Sequence, residues 1–252
     1  MKYLVEPEER RMDSLIYLVD GCWQLGNFSL AEKYGKILHA YCVKHFGTSH
    51  LMTARIRHSM GTIYYNWGKL DKAFEWYALG YHDYKNSPSP DVYFYGILLM
   101  KVGRTMRLQK NWLESERFLT NAIDFLQIHL NTTPDLPANE SPKAGWLVLL
   151  FDIYSEIIAL YVDQKQMKLS WNWCLRYKQE YEELHLQRDS SLWILYYYMG
   201  LSRIGMLSET DKSQGYRNEA IHYLHLSLDY AQKYHKQNIS IHLKILEALK
   251  SI

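Results

Sequence analysis

The chain has 252 residues, 29 Lys and Arg against 27 Asp and Glu, a formal net charge of +2 and 15% aromatic residues. That near-balance argues against a duplex nucleic-acid binder, which needs a basic stripe on a basic domain, and 48% apolar content excludes a disordered chain. Met1 to Asp13 is charged and cannot serve as a signal peptide, and no uninterrupted apolar stretch reaches the roughly 18 residues of a membrane span. The expectation is a soluble, cytoplasmic protein.

Read in order, the chain repeats itself. Gly26, Gly68 and Lys110 each stand at the turn of a helix-turn-helix unit, and both intervals are 42 residues. Such a unit cannot bury its apolar face alone, so the pattern predicts stacked hairpins, a solenoid. The second unit, Met60 to Gly80, is the clearest. Gly61 lets two helices cross closely, Gly68 ends the first helix in a left-handed turn, Ala73 and Gly80 keep the second helix close, and Tyr64 and Tyr77 fill the space between. The first unit has Leu18, Gly26-Asn27-Phe28, Ala31 and Leu38, with Val19 where a glycine is expected. The third has Val102-Gly103, Lys110-Asn111, Trp112, Ser115 and Ala122.

This order of small, aromatic, glycine, alanine, aromatic and small residues resembles a tetratricopeptide (TPR) repeat. The joins point to the kinesin light chain type: His45-Phe46-Gly47-Thr48-Ser49-His50-Leu51-Met52-Thr53-Ala54 is similar to one form of its linker and Ser87-Pro88-Ser89-Pro90-Asp91-Val92 to the other. Clear repeats cover about 12–130. Pro134, Pro137 and Pro142 mark an inserted loop over 131–143.

Helical periodicity then resumes. Trp146 to Asp163 pairs with Met167 to Leu184 as a degenerate fourth unit, and Leu192 to Gly205 pairs with Tyr216 to Tyr234 across a longer turn at Met206 to Gly215. Ser240 to Lys250 is a last amphipathic helix, expected to turn Ile241, Leu243, Ile245, Leu246 and Leu249 toward the stack and cap it within 239–252. No alternating strand pattern occurs. The predicted architecture is all-α: one α-α superhelix spanning 1–252, with about five hairpins and a capping helix.

Chemistry-bearing motifs are few. Cys22, Cys42 and Cys174 each fall within a proposed helix without metal-ligand spacing and read as small apolar fillers in a reducing compartment. His222 and His225 stand three apart, but no Glu lies between them in a protease pattern and no carboxylate or thiol accompanies them at fixed spacing. There is no nucleophile elbow, P-loop or dinucleotide fingerprint. Neither an enzyme nor a cofactor or metal site is expected, and the sequons at Asn27, Asn131, Asn139 and Asn238 are chance matches in an intracellular chain.

The resemblance implies that the first helix of each repeat lines a concave, partner-binding surface. Aligned on the small residue of each unit, the second repeat contributes Arg55, His58, Thr62, Tyr65 and Asn66, and the third Met100, Lys101, Arg104, Arg107 and Leu108. The first contributes Asp13, Asp20, Trp23 and Gln24, and the fourth Asp152, Ser155, Glu156 and Asp163. The face reads acidic, then basic with amide and aromatic groups, then acidic. It suits a protein or peptide partner with an acidic segment or free carboxylate, held by Arg55, His58, Thr62, Tyr65, Asn66, Lys101, Arg104 and Arg107. Two functions fit: an adaptor or scaffold, or the peptide- or ligand-sensing part of a transcriptional or signalling regulator. With the first repeat about a dozen residues from Met1, no DNA-binding helix-turn-helix is expected upstream.

Overall fold

The computed structural model describes residues 7–88, 90–134, 142–183, 191–207 and 213–252. All regular structure among them is helical, in eleven helices. They form two compact units, one up to Leu149 and one from Leu150. The centre of the expected inserted loop, 135–141, lies outside the described residues.

The first unit holds α1 (Pro7–Gln24), α2 (Phe28–Phe46), α3 (Leu51–Asn66), α4 (Leu70–Tyr84), α5 (Val92–Leu108), α6 (Trp112–Thr132) and the start of α7 (Lys143–Asp163). Its three hairpins are α1/α2, α3/α4 and α5/α6, joined at Gly26, Gly68 and Lys110. All three residues have positive φ, 80°, 78° and 62°, and a fourth, Lys165 at 59°, joins α7 to α8. One bonding pattern recurs at all four. The N–H of Gly26, Gly68, Lys110 and Lys165 donates to the carbonyl three residues back, and the next residue's N–H reaches the carbonyl of Cys22, Tyr64, Met106 or Tyr161 at 2.8–2.9 Å. This pair of hydrogen bonds satisfies carbonyls that a helix end leaves orphaned. The fourth unit is thus a regular hairpin whose turn residue is a lysine.

Close crossing is set by one small residue against one large one. A Cβ on Gly61 would lie 2.5 Å from the Tyr77 ring, and one on Gly103 would lie 2.8 Å from Leu119. The first hairpin differs: Val19 stands where Gly61 and Gly103 stand, and Gly35 stands 42 residues before Tyr77. A Cβ on Gly35 would meet Val19 at an ordinary contact distance of 3.6 Å but the Met60 thioether of α3 at 2.2 Å. Gly35 therefore makes room for the next hairpin and not for Val19.

The joins are built by side chains. Thr53 donates to the Gly47 carbonyl at 2.6 Å, His50 Nδ1 accepts from the Met52 N–H at 3.2 Å, and Phe46 stacks on His50. Arg57, buried, donates to Asp83 at 2.7 Å and to His39 and the Thr48 carbonyl at 3.1 Å, tying α2, the join, α3 and α4 together. At the next join Asp91 accepts from the Phe94 N–H at 2.7 Å, and its own N–H donates to the Tyr84 hydroxyl at 2.8 Å.

The second unit holds the remainder of α7 with α8 (Met167–Glu183), α9 (Leu192–Gly205), α10 (Ser213–Tyr234) and α11 (Ile239–Lys250). Gly200 repeats the small–large crossing, with Leu224 2.6 Å from the position of a Cβ. Phe151 stacks on Tyr177, and the Ser170 and Ser202 hydroxyls meet at 2.7 Å between α8 and α9. α7 corrects the expectation that no stretch is long and apolar enough for a membrane span: by length and composition it is, with Asp152 and Glu156 interrupting it, and most of it is buried inside the protein. α11 corrects the expected cap: Ile245 and Ala248 are buried, but Leu243 and Leu246 face outward.

Two stability outcomes follow from this geometry. Gly61→Leu should cost about 1–3 kcal/mol or more, since the Tyr77 ring it strikes is buried and tied to Thr62, while Gly21→Ala, in open space on α1, should gain about 1 kcal/mol. Denaturant melts that rank the two the other way would refute the crossing. Lys165→Gly should raise stability by roughly 1 kcal/mol, because an L-residue at positive φ is strained by an amount on that order; an unchanged or lowered midpoint would show that the turn carries no strain.

Candidate functional site

The residues expected to form a groove fall into two neighbouring clefts of the first unit. Thr62, Tyr65 and Asn66 from α3, Tyr77 from α4, and Lys101 and Arg104 from α5 line a cleft of about 200 Å³. Helical spacing explains the grouping: Thr62, Tyr65 and Asn66 share one face of α3, as Lys101 and Arg104 share one face of α5. Polar groups inside it are fixed. Thr62 Oγ1 lies 3.0 Å from both the His58 carbonyl and the Tyr77 hydroxyl, and Asn66 Nδ2 donates to the Thr62 carbonyl at 2.8 Å. Burial raises the Tyr77 pKa, so the hydroxyl stays protonated.

One turn back on α3, Arg55 and His58 line a second cleft of about 360 Å³ with Asp20 of α1 and Asp91, Tyr93 and Phe94 at the start of α5. Arg55 is held there by Asp13 at 2.7 Å. Its charge is thus already answered within the protein, which the alignment of inner-face positions did not reveal. Asp20 accepts from Ser59 at 2.5 Å and from the Trp23 indole at 3.2 Å. The His58 ring sits between Tyr77 and Phe94, and its Nε2 is buried with no hydrogen-bond partner among the described residues. Desolvation, with the charges of Lys101 and Arg55, pushes its pKa down to about 3. His58 is therefore a neutral imidazole at any physiological pH.

The other expected positions separate. Arg107 lines neither cleft. Met100 is buried, and so are Ser155 and Glu156 of α7, with Ser155 bonded to the Phe151 carbonyl of its own helix at 3.0 Å. α7 is apolar on nearly every side, so alignment by register alone assigned buried residues to a surface. Tyr77 was read as packing only, and Asp91, Tyr93 and Phe94 lie too far from the aligned small residue to be picked. Asp91 was recoverable as a helix cap. Cys42 and Cys174 are buried, the Cys42 thiol pushed up to about 11 and that of Cys174 also raised by burial, consistent with apolar fillers. Among the described residues no group of three His, Cys, Asp or Glu is placed to hold a metal.

No protein-family model matches the chain, and no curated protein matches it in sequence. Solved structures do match its fold. A putative kinesin light chain with nearly identical TPR-like repeats, from Podosopora anserina, superposes with a TM-score of 0.64 at 13% identity, covering 92% of this chain and 100% of that one. The fold is that of a TPR-like repeat protein. BtubC (BKLC) of P. vanneervenii superposes with a TM-score of 0.64 at 15% identity over 86% of this chain and 81% of that one. The apo form of RapI superposes at 0.58 and 10% identity over 99% of this chain and 86% of that one. The resemblance read from the glycines, alanines and joins is thus met by TPR-like structures at the level of fold.

The depressed pKa of His58 has a consequence for stability. The unfolded chain takes up a proton near pH 6.5 and the folded protein does not until about pH 3, so this group's contribution is full above pH 6.5 and is lost as pH falls between those values. His58→Gln, neutral throughout, should flatten the fall of the melting temperature between pH 7 and pH 4.5 relative to the parent. Parallel curves would show that His58 is not held neutral.

Proposed function

We propose that the first unit is a protein-interaction module that holds a segment of a protein partner across α3 and α5, with a carboxylate of that segment in the cleft lined by Lys101 and Arg104. The observation that carries this reading is the composition of that cleft: two cations, a carboxamide and a protonated tyrosine hydroxyl around about 200 Å³. Those groups suit an Asp or Glu side chain or a free C-terminus, since charge-assisted hydrogen bonds to carboxylate are the strong ones. The adjoining cleft, with Arg55 paired to Asp13 and a neutral His58, offers ring faces and an imidazole nitrogen that has no hydrogen-bond partner among the described residues. The partner segment is extended or helical, a mode in which repeat scaffolds present side chains along a preformed surface.

The test uses a displayed library of random 12-mer peptides. Selected binders should be enriched in Asp and Glu, and replacing both Lys101 and Arg104 by Ala should weaken them by about 1.5–3 kcal/mol per desolvated contact, with the melting temperature unchanged. Lys72→Ala, on α4, should leave binding as it was. If the double variant binds the selected peptides as tightly as the parent, the carboxylate does not sit in this cleft and the reading fails.

A further inference from the structure

The repeat register states which surfaces ought to be covered. Leu18, Met60 and Val102 stand 42 residues apart; Met60 and Val102 are 0% exposed, whereas Leu18 is 67% exposed. Met60 is covered because α2 lies over it, with its sulfur in the space above Gly35. A second series agrees. The Trp76 ring meets His39 of α2 edge-on at 4.9 Å, and Phe118, one period on, meets Tyr81 of α4 at 5.5 Å. Tyr34 holds that place in the first hairpin and is 48% exposed. Leu15 and Ile37 are exposed beside it. A surface that the second and third hairpins bury beneath the preceding helix is therefore exposed in the first, as a groove of about 560 Å³ with Arg11 as the one charged residue among its described lining.

α11 carries the matching feature. One stripe, Ile245 and Ala248, is buried in a cluster with Tyr197, Leu224 and Ala231. The other, Ile239, Leu243 and Leu246, repeats at helical spacing on the outside; Ile239 is 69% and Leu243 54% exposed. Glu247 is exposed beside it. A helix apolar on two faces is made to be covered on both.

We propose that the outer stripe of α11 in one copy of this chain docks in the α1/α2 groove of a second copy, taking the place over α1 that α2 takes over α3, with Glu247 of α11 opposite Arg11. The groove continues the register of the hairpin interfaces, and Arg11 on its lining meets a carboxylate. Because the groove and the stripe are different surfaces, the contact is heterologous and joins copies head to tail. It is independent of the carboxylate cleft.

Sedimentation velocity on the full chain from about 1 to about 200 µM, the range of weak protein contacts, should show a mean mass that rises with concentration. Leu18→Asp or Ile37→Asp in the groove, and Leu243→Asp on α11, should each reduce self-association at least tenfold, with unchanged helical circular dichroism because all three residues are exposed. Mixing Leu18→Asp with Leu243→Asp should restore one contact only, giving 1:1 dimers and nothing larger. Replacing Lys101 and Arg104 by Ala should leave assembly intact. A parent that is monomeric throughout, a mixture that forms no heterodimer, or a Leu243→Asp variant that associates like the parent would each overturn the proposal.

Discussion

Three hairpins depend on one kind of contact: two helices brought so close that a single Cβ has no room. At Gly61 the Tyr77 ring occupies the place of the missing methyl, at Gly103 it is Leu119, and at Gly200 it is Leu224. The gain is dispersion and burial around a large side chain, and the constraint is that one of the two facing positions stays small. In the first hairpin Val19 and Gly35 would meet at ordinary contact distance, and Gly35 leaves its room to Met60 of α3 instead.

Once crossing distance is set, the joins decide how hairpins follow one another. Arg57 is buried and reaches three acceptors on α2, the join and α4. Burying a guanidinium is tolerable only because its donors are met and Asp83 supplies the counter-charge. Its bond to His39 requires that imidazole Nε2 to be unprotonated, and burial together with Arg57 itself lowers the His39 pKa accordingly. The same α3 that holds Arg57 on one side carries Arg55, His58 and Thr62 toward the clefts. The joint and the candidate site are thus two faces of one helix.

Electrostatics separates the two clefts. Around Arg55 and Asp20 the charged groups answer one another, through Asp13, Ser59 and Trp23, which leaves ring surfaces to dominate. The other cleft is lined by Lys101, Arg104, Asn66 and the Thr62, Tyr65 and Tyr77 hydroxyls, one helical turn along α3.

The sequence by itself determined the fold class, the 42-residue period and the turn residues, because those rest on backbone geometry and local size. Gly26, Gly68 and Lys110 all have the positive φ that the spacing implied. It also placed Thr62, Tyr65, Asn66, Lys101 and Arg104 on shared helix faces, since i, i+3 and i+4 neighbours need no tertiary information. Only the tertiary structure decided what those faces meet. The pairing of Arg55 with Asp13 joins positions 42 residues apart, the burial of Glu156 depends on what packs against α7, and the outward turn of Leu243 depends on which stripe of α11 packs on its neighbours. Each is a choice among partners that local pattern leaves equivalent, and long-range packing alone breaks the tie.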